Sequence, residues 1–119
     1  MVSFSSEFLL LTTFRKSGQP VGTPIWFVQL DDGLYCKTGQ ATGKVKRIGH
    51  TPRVTLGPCD RRGRPEGPAV PATASLLPAS RGPEIEAALN RRYGLFKKVI
   101  DLVLWVRGVR PAYLRMELE

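Results

Sequence analysis

Residues 35–48 read Tyr-Cys-Lys-Thr-Gly-Gln-Ala-Thr-Gly-Lys-Val-Lys-Arg-Ile. A strand-like segment, Leu34–Thr38, runs into a loop bracketed by Gly39 and Gly43, and Lys44–His50 has the composition of one or two helical turns. Thr42 is a candidate N-cap, because a threonine oxygen can accept from the free amides of the first turn. Pro52 sets the far limit, since the residue before a proline avoids the helical region. A loop and a helix N-terminus together aim amide donors and a positive partial charge at one spot. Thr38 and Thr42 add hydroxyls, and Lys44 and Lys46 add full charges. The stretch reads as a phosphate cradle, with a solvated basic face as the alternative. It is not a P-loop, because Val45 stands where Ser or Thr would follow Gly43-Lys44.

Strand signals lie on both sides of this segment. Phe8–Phe14 is an apolar, β-branched run ended by Arg15-Lys16-Ser17-Gly18. Pro20–Leu30 reads as a second strand, whose Pro24 cannot donate to a ladder and so belongs at an edge, bulge or bend. Asp31-Asp32-Gly33 is a hairpin signal. Arg53–Cys59 is a fourth strand, and Pro65–Leu77 a long bent fifth one. Glu84–Tyr93 carries strong helix formers with acid in its first turn. Gly94 breaks it, and Leu95–Arg107 is a second helix, apolar over much of its circumference. In the last segment, Ala112, Leu114, Met116 and Leu118 alternate with mostly polar neighbours, as in a half-buried strand.

The chain has 119 residues, enough for one domain, so residues 1–119 are read as a single unit. Twelve glycines and ten prolines suit short strands joined by tight turns, and the expected fold is mainly β: a six-stranded barrel. The net charge of +8 predicts an anionic partner. Between Gly33 and Cys59 there is no Asp or Glu, yet Lys37, Lys44, Lys46, Arg47 and Arg53 lie there, and Arg61, Arg62 and Arg64 follow.

Catalysis by protein groups alone is poorly supported. His50 is the single imidazole, expected at the surface, and no carboxylate pair is placed for acid–base work. Two cysteines and one histidine cannot make a four-ligand zinc site, so no metal is expected, and Cys36 and Cys59 read as small core residues. Met1–Glu7 lacks a basic n-region and a long apolar run, from which a cytoplasmic protein without a signal peptide is expected. Residues 95–107 are too short to span a bilayer, though they could lie on one. A nucleic-acid-binding barrel is disfavoured, because the basic region of residues 33–64 holds only Tyr35 as a stacking aromatic.

The sequence resembles the pyridoxamine-phosphate-oxidase-like split-barrel superfamily, and within it the branch that uses the deazaflavin coenzyme F-420. The resemblance rests on Leu10–Phe14, Gly18–Val21, Thr23–Val28, Leu34-Tyr35, Thr38-Gly39, Thr42–Arg47, Thr51–Val54 and Gly63–Pro65, which span nearly the whole chain. It implies an FMN-binding type of split barrel that forms a homodimer, with cofactor in grooves at the subunit interface. It places Lys44, eight positions before Pro52, on cofactor phosphate, with Lys46 beside it and Thr38, Gly39, Thr42 and Gly43 in the loop. It lays Thr23–Phe27, with Pro24, Ile25, Trp26 and Phe27, along the ring system. The implied activity is hydride transfer to or from a small organic substrate, carried by coenzyme F-420, with FMN as the alternative cofactor and no catalytic protein group. Met1–Glu7 is too short for the N-terminal helix that members of this superfamily often have.

Overall fold

The computed structural model describes residues 6–30 and 33–119, with the side chain of Phe96 set aside. The expected turn residues Asp31 and Asp32 lie outside the described residues. Seven strands and three helices follow one another as β1 (Phe8–Phe14), β2 (Pro20–Trp26), β3 (Val28–Leu30), β4 (Gly33–Gly39), α1 (Gly43–His50), β5 (Arg53–Cys59), β6 (Val70–Leu76), α2 (Gly82–Tyr93), α3 (Leu95–Val106) and β7 (Pro111–Leu118). All strand pairs are antiparallel, in the order β2-β1-β5-β6-β7-β4-β3.

That order explains why the sheet is a barrel. β2 and β3 occupy its two opposite edges, yet they are consecutive in the chain and joined only by Phe27. The sheet must curl until its edges meet at that residue. The second strand expected over 20–30 is therefore two short ones, and six strands become seven. The break has a local cause. The Phe27 amide donates to the Tyr93 hydroxyl (3.0 Å), and that hydroxyl reaches the Glu7 carbonyl (2.8 Å), so α2 takes over part of the hydrogen bonding at the bend. Phe27 itself is fully buried. Pro24 sits within β2, the edge strand paired only with β1, as a residue without an amide donor requires. The expected fifth strand starts only at Val70; before it, Pro65 makes a single antiparallel bridge to Cys59, and neither Pro65 nor Pro68 can donate to a longer ladder.

Leu9, Leu11, Ile25, Phe27, Leu34, Cys36, Ile48, Val54, Leu56, Leu114 and Met116 fill the barrel. A second apolar layer lies outside it, where Ile85, Ala88 and Leu89 of α2 cover Val28, Tyr35 and Tyr113. β4 is consequently buried on both faces, which is why Leu34, Tyr35 and Cys36 are consecutive and all inaccessible. Gly94, at φ 71°, reverses the chain between α2 and α3 in a conformation that other residues rarely adopt. Both cysteines are free and buried, and His50 is exposed.

Candidate cofactor site

β4 delivers the chain to Gly39, and the turn that follows is tight. The Thr42 amide and hydroxyl both donate to the Gly39 carbonyl, at 3.2 and 2.8 Å. A Cβ on Gly39 would lie 3.1 Å from the Thr42 methyl and 3.4 Å from Val109, so a larger residue would push the turn open. Thr42 occupies the N-cap position of α1 as expected, but its hydroxyl faces back to Gly39 and does not cap the helix. The first-turn amides of α1 are thus left to other partners, and no acidic side chain stands in that turn.

Lys44 lies at the start of this helix, half-buried, and among the described residues its ammonium has no ion-pair partner. Burial pushes its pKa below the ordinary lysine value. The nearby Cys36 thiol pulls the other way, and Arg47 adds to the depression. Cys36, sealed in the core, is pushed up to about 12 by burial, with Lys44 opposing. A desolvated, unpaired cation beside free helix amides favours an anion. Lys46 is exposed and is likewise without an ion-pair partner among the described residues.

The rest of the basic tract divides by partner. Lys37 turns to Glu86 (2.6 Å) and Asp101 (3.1 Å), Arg53 to Glu119 (3.8 Å), and Arg64 to Asp60 (2.8 Å). Arg47 donates its Nε to the buried Thr13 hydroxyl at 2.6 Å. The cations left to meet an outside anion are fewer than the charge count of the tract implies.

Two cavities adjoin the loop. One of about 450 Å³ lies between residues 39–42 and Gly108, Val109 and Arg110, and the two walls are tied by the Gln40 amide on the Arg110 carbonyl (2.8 Å). The other, about 550 Å³, has Thr38, Gly39 and Lys37 on one side, Glu86, Asn90 and Asp101 as a polar floor, and Leu104, Trp105 and Val109 as an apolar wall. Apolar walls with a few convergent polar groups suit small-molecule sites. Thr38, Gly39 and Thr42 are thus brought together at these openings, whereas Lys44 and Lys46 line neither.

The strand-two residues are placed differently from the loop. Ile25 and Phe27 are core side chains, so from this segment Pro24, Trp26 and the backbone are what remains for a ring to touch. Trp26 is half-buried and stacked on Tyr93, with ring centroids 4.9 Å apart and planes 20° from parallel.

Sequence reasoning missed the cluster on the cavity floor. Lys97, 2 % exposed, donates to Glu86 (2.7 Å), Asn90 (3.0 Å) and Asp101, and Tyr113 donates to Glu86 (2.9 Å). Burial alone would raise Glu86, but hydrogen bonds from Lys37, Lys97 and Tyr113 hold it below the ordinary carboxylate range. Lys97 is raised: burial opposes its charge, and Asp101 and Glu86 override burial. Tyr113 is raised by burial and by its bond to Glu86. The available signal was the spacing of four between Glu86 and Asn90 and between Lys97 and Asp101, which sets polar pairs on facing helix sides.

A barrel closed through a bent second strand, with a Gly-Thr loop leading into a short basic helix, defines a split-barrel protein of the cofactor-binding kind. Residues 2–95 match the family model for pyridoxamine 5'-phosphate oxidase, and the chain belongs to that family. No curated protein matches the sequence. Among solved structures, the heme storage protein HutZ from Vibrio cholerae superposes with a TM-score of 0.73 at 17% identity, over 97% of this chain and 83% of that one. An FAD-binding protein from Mesorhizobium loti gives 0.65 at 19% identity over 97% and 81%. An F420 reductase gives 0.61 at 16% identity over 99% and 96%. At these identities the likeness is one of fold. Among the described residues, no helix is long and apolar enough to cross a membrane.

Proposed function

We propose that the protein is an oxidoreductase that uses coenzyme F-420 to transfer hydride to or from a small organic substrate. The observation that carries the reading is Lys44: half-buried, lowered in pKa by that burial, unpaired among the described residues, and set at the N-terminus of α1. An anion there replaces the hydration that Lys44 has lost and satisfies helix amides that have no internal acceptor. In this reading Lys44 and Lys46, with the loop formed by Thr38, Gly39, Thr42 and Gly43, hold the phosphodiester and carboxylates of the cofactor tail. Pro24 and Trp26, with the backbone at Ile25 and Phe27, border the ring. The bound cofactor supplies hydride chemistry from its ring. The chain supplies position and a surface from which water is displaced, and no protein group is asked to move a proton.

The cavity beside Thr38 and Gly39 is assigned to the substrate, with Trp105 and Leu104 as its apolar wall. Two copies of the chain share the site, and the protein works in the cytoplasm. The test is a fluorescence titration with oxidised coenzyme F-420, with FMN in parallel. F-420 binds, and Lys44→Ala weakens it at least about tenfold, the loss of roughly one charge-assisted bond, with the fold unchanged. Binding of FMN alone would keep the site and replace the cofactor. Unchanged affinity in Lys44→Ala would remove Lys44 from the site.

A further inference from the structure

The ion cluster between α2 and α3 leaves part of its hydrogen-bonding capacity unused, and the unused part faces the cavity of about 550 Å³. The donors show where. The Lys97 ammonium has three protons and three acceptors: Glu86 (2.7 Å), Asn90 (3.0 Å) and Asp101. It is sealed in and fully spent. Lys37 also has three protons, but among the described residues it meets only Glu86 (2.6 Å) and Asp101 (3.1 Å). Its side chain is 20 % exposed and lines the cavity, so one N–H is left for whatever enters.

Asn90 adds two more. An ammonium can only donate, so the Asn90 atom that meets Lys97 is its side-chain oxygen, and this fixes which way the amide points. The Nδ2 group then carries two N–H bonds with no acceptor among the described residues, and Asn90 lines the same cavity. Spare donors on the floor, beside the apolar wall of Leu104, Trp105 and Val109, call for an acceptor atom on an otherwise apolar molecule.

Charge narrows the class further. The floor and its backing hold two cations, Lys37 and Lys97, and two anions, Glu86 and Asp101, so the cluster is neutral as a whole. A charged ligand would leave water with no net countercharge to meet it. The carboxylates keep lone pairs, but each already accepts from both lysines, so neither is open to an incoming ammonium as a free partner.

We propose that this cavity takes an uncharged, largely apolar molecule with a carbonyl-type oxygen, and that Lys37 Nζ and Asn90 Nδ2 are the donors that hold that oxygen. This deepens the substrate assignment made above and rests on it for the reaction, not for the binding. In the reducing direction, hydride from the reduced cofactor adds to the carbonyl carbon or to a carbon conjugated with it. The π pair moves onto the oxygen, and water supplies the proton. The two donors meet the negative charge as it forms, without giving up a proton themselves.

The test is made without cofactor, on three probes that share one apolar body: 2-acetylnaphthalene, 2-naphthoate and 2-naphthylmethylammonium. The readout is the indole N–H of Trp105 in a nitrogen-correlated proton NMR spectrum, told from that of Trp26 by Trp105→Phe. The ketone shifts it saturably, with a dissociation constant of about 1 mM or below. Both ions bind at least about tenfold more weakly. Asn90→Asp keeps an acceptor for Lys97, removes the two spare donors and makes the floor net negative. It weakens the ketone by about tenfold, the loss of roughly one hydrogen bond, and strengthens the ammonium. Lys37→Met removes the other donor and moves the charge the same way, so it gives the same reversal if Asn90→Asp loses its native circular dichroism. A ketone that leaves Trp105 unmoved up to its solubility limit would overturn the proposal. So would an ion that binds as tightly as the ketone, or folded variants that bind the ketone like the wild type. Ketone binding by a protein that takes neither F-420 nor FMN would end the cofactor reading and leave the cavity assignment standing. F-420 bound with the ketone refused would end this proposal alone.

Discussion

Lys97→Met tests whether the cluster under α3 is a structural ion network. Methionine keeps the length and most of the volume of lysine, so the change removes charge and leaves packing nearly intact. In the wild type, two lysines, Lys37 and Lys97, face two carboxylates, Glu86 and Asp101. Without Lys97, both carboxylates share Lys37 alone, and Asn90 loses its donor. Breaking a buried pair costs about 3–5 kcal/mol. The two carboxylates are about one-quarter exposed and keep one cation, which brings the expectation down to about 2–3 kcal/mol. For a domain of this size that lowers the thermal midpoint by roughly 8–12 °C, measurable by calorimetry at pH 7. The pH dependence gives a second readout. Glu86 is depressed when folded, so its contribution is present above the ordinary 4.5 and fades as pH falls through the folded value. Lys97 is raised, so its contribution is present below 10.5 and fades as pH rises through the folded value. In Lys97→Met the surplus carboxylate is relieved by protonation, so the gap between variant and wild type is widest near neutrality and narrows below about pH 4.5. Adding Asp101→Asn to Lys97→Met removes the surplus charge and recovers about half of the loss. A loss under about 0.5 kcal/mol at pH 7, or an Asp101→Asn penalty that simply adds to the first, would refute the network.

Two further expectations follow from the fold. Tyr93→Phe removes the hydroxyl that bonds the bend at Phe27, and costs about 1–2 kcal/mol in urea unfolding with little change in slope; a neutral result would mean that the bend is held by its packing alone. Cys36, pushed up to about 12 and fully buried, stays unreactive toward a disulfide reagent at pH 8 in the folded protein and reacts on unfolding; rapid native-state labelling at Cys36 would contradict its place in the barrel.

What could be read from the sequence was local, and what could not was supplied from a distance. The alternation of Ala112, Leu114, Met116 and Leu118 declared a strand, and the Gly-Thr stretch from Thr38 to Gly43 declared a loop before a helix, because period and turn chemistry act on neighbours. Pro24 marked an edge for the same reason. The split of the second strand was not legible, since its cause is Tyr93, 66 positions away, bonding the chain at Phe27. Nor was the burial of Lys97, because its acceptors Glu86 and Asn90 belong to another helix and a lone lysine on an apolar helix is ordinarily solvated. The same long-range partnering sorts the basic tract. Lys37 resembled Lys44 in the sequence, one position before a threonine and the other after one loop, yet the fold gives Lys37 two carboxylates and leaves Lys44 without any among the described residues. Net charge therefore overstates the anion site, and the cations worth testing are those whose counter-charges the fold does not provide: Lys44 first, then Lys46.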